Sequence, residues 1–208
     1  MTAIVFDLDG TLVDSFDDIS AAFRRSFHVI GGVPPEAEVV RTMIGKPLRD
    51  MYAPWAPADT VDVLVAEYRR DYAQRCAERT RPYPGMVDLL ERLRSRGHAL
   101  AVATTKTTHM ACTVLGRLGI EDRVDHVQGT DGFAHKPAPD VIIHALKGVA
   151  RPGAWMIGDA VTDIVAGRAA GLRTCAVTWG VHSEMQLRDA EPDALVSTVD
   201  QLQTLLLA

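Results

Sequence analysis

A chain of 208 residues, 24% charged and 47% hydrophobic, has the balance of an ordinary soluble globular protein. That length suits one large domain or a domain carrying an insertion. A formal net charge of −5 leaves no basic footprint for a nucleic-acid backbone. Cys76, Cys112 and Cys175 are odd in number, widely spaced and without a C-x-x-C pair, which excludes a disulfide framework and a zinc knuckle.

The first residues enter an apolar run without a basic leader, and no run reaches membrane-spanning length. The expectation is a cytoplasmic protein, monomer or homodimer, with no membrane partner. Ala3–Phe6 is short, β-branched and aromatic, and reads as a buried strand. It ends in Asp7 and Asp9, followed by Gly10-Thr11. A clean extension of the strand would point both carboxylates the same way. Like charges held that close repel unless a cation or a proton lies between them, which is how metal and acid/base sites are built. The alternative is a solvated strand end closed by an Asp-Gly turn.

From Phe16 to about Arg81 the pattern is helical. Ser15 is placed to cap a helix running to about Ile30 and stopped by Gly31-Gly32. Pro34-Pro35 opens another, which Gly45-Lys46-Pro47 interrupts. A long helix follows, with Val61, Leu64, Val65, Tyr68, Tyr72 and Cys76 along one face. Residues 15–82 are therefore expected to form a helical domain inserted after the first strand. Residues 1–14 and 83–208 are left as an α/β core.

After Tyr83-Pro84-Gly85 the chain alternates helix and strand. Met86, Leu89, Leu90 and Leu93 line a helix; Ala99–Thr104 is a strand; Met110, Val114, Leu115 and Leu118 mark the next helix. Val124–Gln128, Trp155–Gly158 and Thr174–Val177 read as further strands, with Ala194–Val196 as a short last one. This alternation predicts a doubly wound, mostly parallel sheet covered by helices on both faces.

The residues at the strand ends share one chemistry. Thr104-Thr105-Lys106 follows the strand Ala99–Ala103 and leads into a helix whose first N–H groups can bind an anion. Lys136 stands in Lys136-Pro137-Ala138-Pro139-Asp140, again at a helix start. Asp159 follows Gly158, and Asp163 lies four residues on. Carboxylates without imidazole or thiolate favour Mg²⁺ over zinc. A lysine, a hydroxyl and helix N-termini suit a phosphoryl group beside that ion. Taken singly, Thr104 and Thr105 read more readily as helix caps, and Lys136 equally well as a surface lysine.

With these motifs in order, essentially the whole chain resembles the haloacid dehalogenase-type hydrolases, in the phosphoglycolate-phosphatase-like branch with a helical cap. Asp7-Leu8-Asp9-Gly10-Thr11-Leu12 is similar to that family's first motif, Thr104 to its second, Lys136 to its third, and Gly158-Asp159 with Asp163 to its fourth. The resemblance implies Asp7 as nucleophile and Asp9 as general acid/base. It also implies Mg²⁺ on Asp7, Asp159 and the Asp9 carbonyl, with Asp163 in support. Thr104 and Lys136 would bind the phosphoryl group. Thr105 stands where this branch usually carries Asn.

Phosphoryl transfer needs its equatorial charge neutralised, and a carboxylate nucleophile splits hydrolysis into two steps. Asp9 can serve both, giving a proton to the leaving alkoxide and taking one from water, if its pKa is raised above that of metal-bound Asp7. The reading is a Mg²⁺-dependent phosphatase for a small phosphorylated metabolite, 2-phosphoglycolate first. Lys46 and Arg49 in the helical insertion are the expected contacts to the leaving group, or else solvated surface charges. A sugar-phosphate mutase or pyrophosphatase on the same core is the neighbouring alternative, and a phosphoryl-accepting signalling module the alternative of another class. The seven histidines show no metal-ligand spacing, and neither G-x-S-x-G nor a nucleotide-binding glycine loop occurs.

Overall fold

Alternating apolar strands and amphipathic helices are realised as a six-stranded sheet with helices on both faces. The computed structural model describes residues 1–208. The chain begins with β1 (Ala3–Phe6), β2 (Val13–Asp14), α1 (Phe16–Ser26), α2 (Ala37–Arg41), α3 (Leu48–Tyr52) and α4 (Ala58–Arg75). It continues with β3 (Arg81–Pro82), α5 (Met86–Ser95), β4 (Ala99–Ala103), α6 (Thr108–Arg117), β5 (His126–Gln128) and α7 (Asp140–Val149). The last elements are β6 (Gly153–Gly158), α8 (Val161–Ala169), β7 (Arg173–Val177), α9 (Glu184–Asp189), β8 (Ala194–Val196) and α10 (Val199–Leu207). The large sheet has the order β5-β4-β1-β6-β7-β8. Every pairing in it is parallel.

The two faces of β1 show why it is central. Ile4 and Phe6 pack with Leu100, Val102 and Ile157 beneath α5, α6 and α10, while Val5 joins Ala101, Met156 and the α7 residues Val141, Ile142 and Ala145 on the other side. A strand apolar at every position is what a sheet covered on both faces requires. From β1 the chain builds outward first through β4 and β5, then through β6, β7 and β8. β1 therefore borders the point where strand order reverses, and ligands gather at the carboxyl ends of strands there.

The chain divides into two compact units, residues 1–14 with 82–208, and residues 15–81. The second is helical up to Arg81, where β3 begins. Its core stacks Phe23 on Tyr52 with ring centroids 4.1 Å apart, and Tyr68 on Tyr72 at 5.2 Å. Asp18 ties its two ends together by accepting from the Thr80 N–H and hydroxyl at 2.8 and 2.7 Å.

Some local expectations are corrected. The helix expected to reach Ile30 ends at Ser26 and tightens into a 3₁₀ turn, Phe27–Ile30. The Ser26 hydroxyl lies 2.7 Å from both the Phe23 carbonyl and the Tyr52 hydroxyl, a local bond of the kind that competes with continued helix. Ser15 gives no side-chain cap to α1. The helix expected from Pro34-Pro35 is only Ala37–Arg41, and the Val124–Gln128 strand starts at His126. Thr107, rather than Thr104 or Thr105, caps α6, accepting from the Met110 N–H.

Candidate active site

The backbone turns immediately after β1. Asp7 keeps sheet register, its N–H donating to the Ile157 carbonyl at 2.9 Å, but the Leu8 carbonyl then accepts from Leu12 and Val13 at 3.0 and 3.1 Å. Asp9 therefore sits in a tight turn rather than on an extended strand. Gly10, at φ +83°, makes the turn possible and also clears space, because a Cβ there would lie 2.3 Å from Asp159 Oδ2.

Asp159 follows β6 and is almost fully buried. The Thr11 hydroxyl donates to its Oδ1 at 2.8 Å and the Val181 N–H to its Oδ2 at 2.8 Å. Gly180 presses on it from the far side, where a Cβ would fall 2.1 Å from Oδ2. Trp179 fastens this loop to the first turn by donating its indole N–H to the Thr11 carbonyl at 3.3 Å. Burial holds the Asp159 carboxyl well above the usual carboxylate range; Asp7 and Asp163 add to the rise, and the bonds from Val181 and Thr11 oppose it.

Lys136 is the hub of the site. Its buried Nζ donates to Asp7 Oδ1 at 2.7 Å and the Ala103 carbonyl at 3.0 Å, and stands 2.6 Å from Asp163 Oδ1. Burial works against its charge, but Asp163 and Asp7 outweigh it and hold the ammonium above its ordinary value. Burial pushes the Asp7 carboxyl up to about 7; Lys136 pulls it back, while Asp163 and Asp9 add to the rise. Asp163, at the start of α8, also accepts from the Ala160 N–H at 3.0 Å through Oδ2.

Asp9 meets a second lysine. Lys106 Nζ donates to Asp9 Oδ2 at 2.5 Å, and both side chains are buried. Thr104, at the end of β4, accepts the Lys106 N–H on its hydroxyl oxygen at 3.3 Å, which leaves its O–H proton available to an anion. Thr105 lies between them in the same loop, half-buried. Four carboxyls and two ammonium groups are thus gathered at the ends of β1, β4 and β6, a formal excess of two negative charges once every carboxyl is ionised.

One cluster within this group can hold a metal. Carboxylate oxygens of Asp7, Asp159 and Asp163 all lie within 4.8 Å of one another. Asp163 Oδ1 is buried and has the Lys136 ammonium 2.6 Å away as its one charged neighbour of opposite sign. An all-oxygen donor set of three carboxylates against one ammonium fits a hard divalent cation.

Asp7, Asp9, Thr104, Thr105, Lys136, Asp159 and Asp163 belong to the core unit, and Lys46 and Arg49 to the helical one. Lys46 is exposed, and the exposed Arg49 pairs with Asp62 of α4. Sequence reasoning placed Lys106 at a strand end but gave no role to it, to Thr11 or to Gly180. Lys106 had one signal, a lysine in a chain that has only four, set directly after a strand-end threonine pair. Gly180 and the Thr11 hydroxyl had none, since their roles depend on long-range approach to Asp159. His182 is structural, its Nδ1 accepting the Val161 N–H at 2.9 Å at the head of α8.

A model of the haloacid dehalogenase-like hydrolase family matches residues 4–177. The chain is 32% identical to "Probable phosphatase IndB" of Dickeya dadantii, covering 96% of this chain and 90% of that one. It is 31% identical to a phosphoglycolate phosphatase of Aquifex aeolicus, over 96% and 97% of the two chains. It is 32% identical to the tyrosine-protein kinase PtkA of Mycobacterium tuberculosis, over 98% of this chain and 72% of that one. Among solved structures, the haloacid dehalogenase-like family protein SP0104 from Streptococcus pneumoniae superposes with a TM-score of 0.89 at 33% identity, over 99% and 98% of the chains. With its parallel sheet, its strand-end carboxylates and a family match across most of its length, the chain belongs to the haloacid dehalogenase-like hydrolases.

Proposed function

We propose that the protein is a Mg²⁺-dependent phosphatase that hydrolyses a small phosphomonoester, 2-phosphoglycolate being the first substrate to test. The observation that carries this reading is the junction of Asp7, Lys136, Asp159 and Asp163, buried together at the strand ends. Asp7 is the nucleophile. One of its carboxylate oxygens attacks phosphorus, the bond to the leaving oxygen breaks, and the phosphoryl group rests on Asp7 as an acyl phosphate. The Lys136 ammonium and the Thr104 hydroxyl donate to the phosphoryl oxygens as charge spreads over them. Asp9 gives its proton to the departing alkoxide, then takes one from the water that attacks the acyl phosphate.

Asp7, Asp159 and Asp163, with the Asp9 carbonyl, would hold Mg²⁺, which when bound supplies positive charge to the phosphoryl oxygens. Thr11 and Val181 orient Asp159 for that role, as outer partners commonly do for metal ligands. Lys46 and Arg49, both in the helical unit, are the proposed contacts to the rest of the substrate. A carboxylate such as that of glycolate is a partner that the Arg49 guanidinium can bind through two hydrogen bonds.

Asp7→Asn tests the assignment, because an amide is a poor nucleophile and a weaker metal ligand. The folded variant should release no phosphate from 2-phosphoglycolate or p-nitrophenyl phosphate in Mg²⁺. More than trace turnover would remove Asp7 as nucleophile. The kinase relative makes the fate of the phosphoryl group worth following. Rapid turnover to inorganic phosphate supports a phosphatase, while lasting modification of the chain, or delivery to another hydroxyl, supports a signalling or transferase role.

A further inference from the structure

Lys106 has no part in the chemistry described above, yet the fold holds its pair with Asp9 firmly. The side chains of Lys106 and Asp9 are only 11% and 8% exposed and meet at 2.5 Å. The loop bearing Lys106 is fastened along its length to the strand-end segment that follows β5. Thr104 N–H donates to the Gln128 carbonyl at 3.0 Å, Thr130 N–H to the Lys106 carbonyl at 2.8 Å, and the Thr130 hydroxyl to the Thr104 carbonyl at 3.1 Å. Gly129 N–H donates to the Thr108 hydroxyl at 2.8 Å. A Cβ on Gly129 would come within 2.1 Å of the Thr108 nitrogen, so close packing of these two segments requires glycine there. A lysine serving only as a wet surface charge needs none of this support. Its stem would also be expected to leave the ammonium in water.

We propose that Lys106 is a positioning residue for Asp9. Its ammonium grips Asp9 Oδ2 and fixes the carboxylate plane relative to Asp7. The proton donor thereby meets the leaving oxygen opposite the attacking nucleophile. This rests on the reading of Asp9 as the acid/base group. It extends that reading by giving the fixed geometry a source 97 residues away in the chain. Asp9 itself lies in a turn, not on a strand, so strand geometry does not set the direction of its side chain.

The test uses leaving groups whose remainder carries no charge, so that Lys106 acting as a receptor for an anionic substrate is kept apart. Lys106→Met, Lys106→Gln and Lys106→Arg are assayed in Mg²⁺ with ethyl phosphate and with p-nitrophenyl phosphate. The readout is the ratio of the two kcat/KM values within one preparation, which cancels any difference in folded fraction. Lys106→Met and Lys106→Gln should lose ~10–100-fold on ethyl phosphate, the scale of a misplacement of about 1 Å, and ~3-fold or less on p-nitrophenyl phosphate, which needs little protonation. Lys106→Arg should recover most of the ethyl phosphate rate. In an Asp9→Asn background, Lys106→Met should cost almost nothing more.

Equal losses on both substrates, or full additivity with Asp9→Asn, overturn the proposal. 2-Phosphoglycolate is assayed beside them, and a loss confined to it, which would make Lys106 an anion receptor, overturns the proposal too. Failure of all three variants to fold assigns the pair to stability and overturns it as well. The underlying reading fails differently. It falls if Asp9→Asn itself shows no preference between the two leaving groups, or if the unaltered protein hydrolyses neither.

Discussion

Gly180→Ala carries the reasoning about Asp159 to a number. An added Cβ would lie 2.1 Å from Asp159 Oδ2, 2.2 Å from its Cβ and 2.3 Å from its Cγ. Ordinary contact begins near 3.4 Å, so Oδ2 must withdraw by about 1.3 Å or the loop at Gly180 must retreat as far. Because the clash includes the Asp159 Cβ, a rotation about χ1 alone does not relieve it. Either movement disturbs the bond from Val181 N–H to Oδ2, now 2.8 Å, and takes the carboxylate from Asp7 and Asp163. A shift of that size in a catalytic group is worth ~10²-fold in rate, and overpacking costs about 1–3 kcal/mol of stability. Gly171→Ala is the control. Gly171 has φ +77° and open space around it, so alanine there brings backbone strain of about 1–3 kcal/mol without touching the site. Both variants should melt earlier. Only Gly180→Ala should lose turnover and need more Mg²⁺ for half-maximal activity. A Gly180→Ala protein with unaltered kcat and Mg²⁺ requirement would refute the role given to Asp159.

EDTA should silence phosphatase activity and Mg²⁺ restore it, whereas Ca²⁺, with longer bonds and more ligands, should bind without supporting turnover; full activity in chelator removes the metal from the proposal. The same ion should couple to pH. Burial raises Asp7 to about 7 from 3.8 and Asp159 also rises, so without metal the folded protein holds protons that the unfolded chain has lost across that window. Metal-free stability should therefore fall as pH rises from about 4 to 7. The gain in Tm on adding Mg²⁺ should be larger at pH 8 than at pH 5, and equal gains would contradict the raised carboxyls. Arg49→Ala or Lys46→Ala should lower kcat/KM for 2-phosphoglycolate by ~10–100-fold, equivalent to the about 1.5–3 kcal/mol of a charged hydrogen bond, with little change for p-nitrophenyl phosphate. Identical behaviour toward both substrates would remove these two residues as selectors.

What the sequence made legible was whatever a strand end marks locally. Asp7, Thr104 and Asp159 each terminate an apolar run, and the alternation of strands and helices was visible for the same reason. Asp9 and Lys106 were both legible, but not as a pair, because contact across 97 residues leaves no periodic trace. Gly180 lies outside any regular element, and its meaning comes from Asp159 approaching it in space. In the helical unit the errors were of extent. Ser26 sits in an otherwise helical pattern, and only its bond to Tyr52, from a separate helix, shows why α1 stops there. Arg49 was read as a cation near a break in the helices, whereas its partner Asp62 lies one helix further on.

The lysines do not share the carboxylates evenly, and that asymmetry says where a cation belongs. Lys106 takes Asp9, and Lys136 stands between Asp7 and Asp163. Asp159 is held by neutral donors, the Thr11 hydroxyl and the Val181 N–H, and its carboxyl is raised by burial and by its acidic neighbours. The excess of negative charge is therefore centred on the Asp7–Asp159–Asp163 cluster, away from Asp9. Uncompensated charges cost several kcal/mol each to bury, so a protein that keeps them there gains from a cation at that point. The two glycines that admit Asp159, Gly10 and Gly180, flank the same cluster. Steric clearance and charge excess coincide at one place, and the ammonium on Asp9 keeps that carboxylate outside it. Asp7 and Asp9, two positions apart in the chain, thus take different electrostatic surroundings, one beside the acidic cluster and the other beside an ammonium.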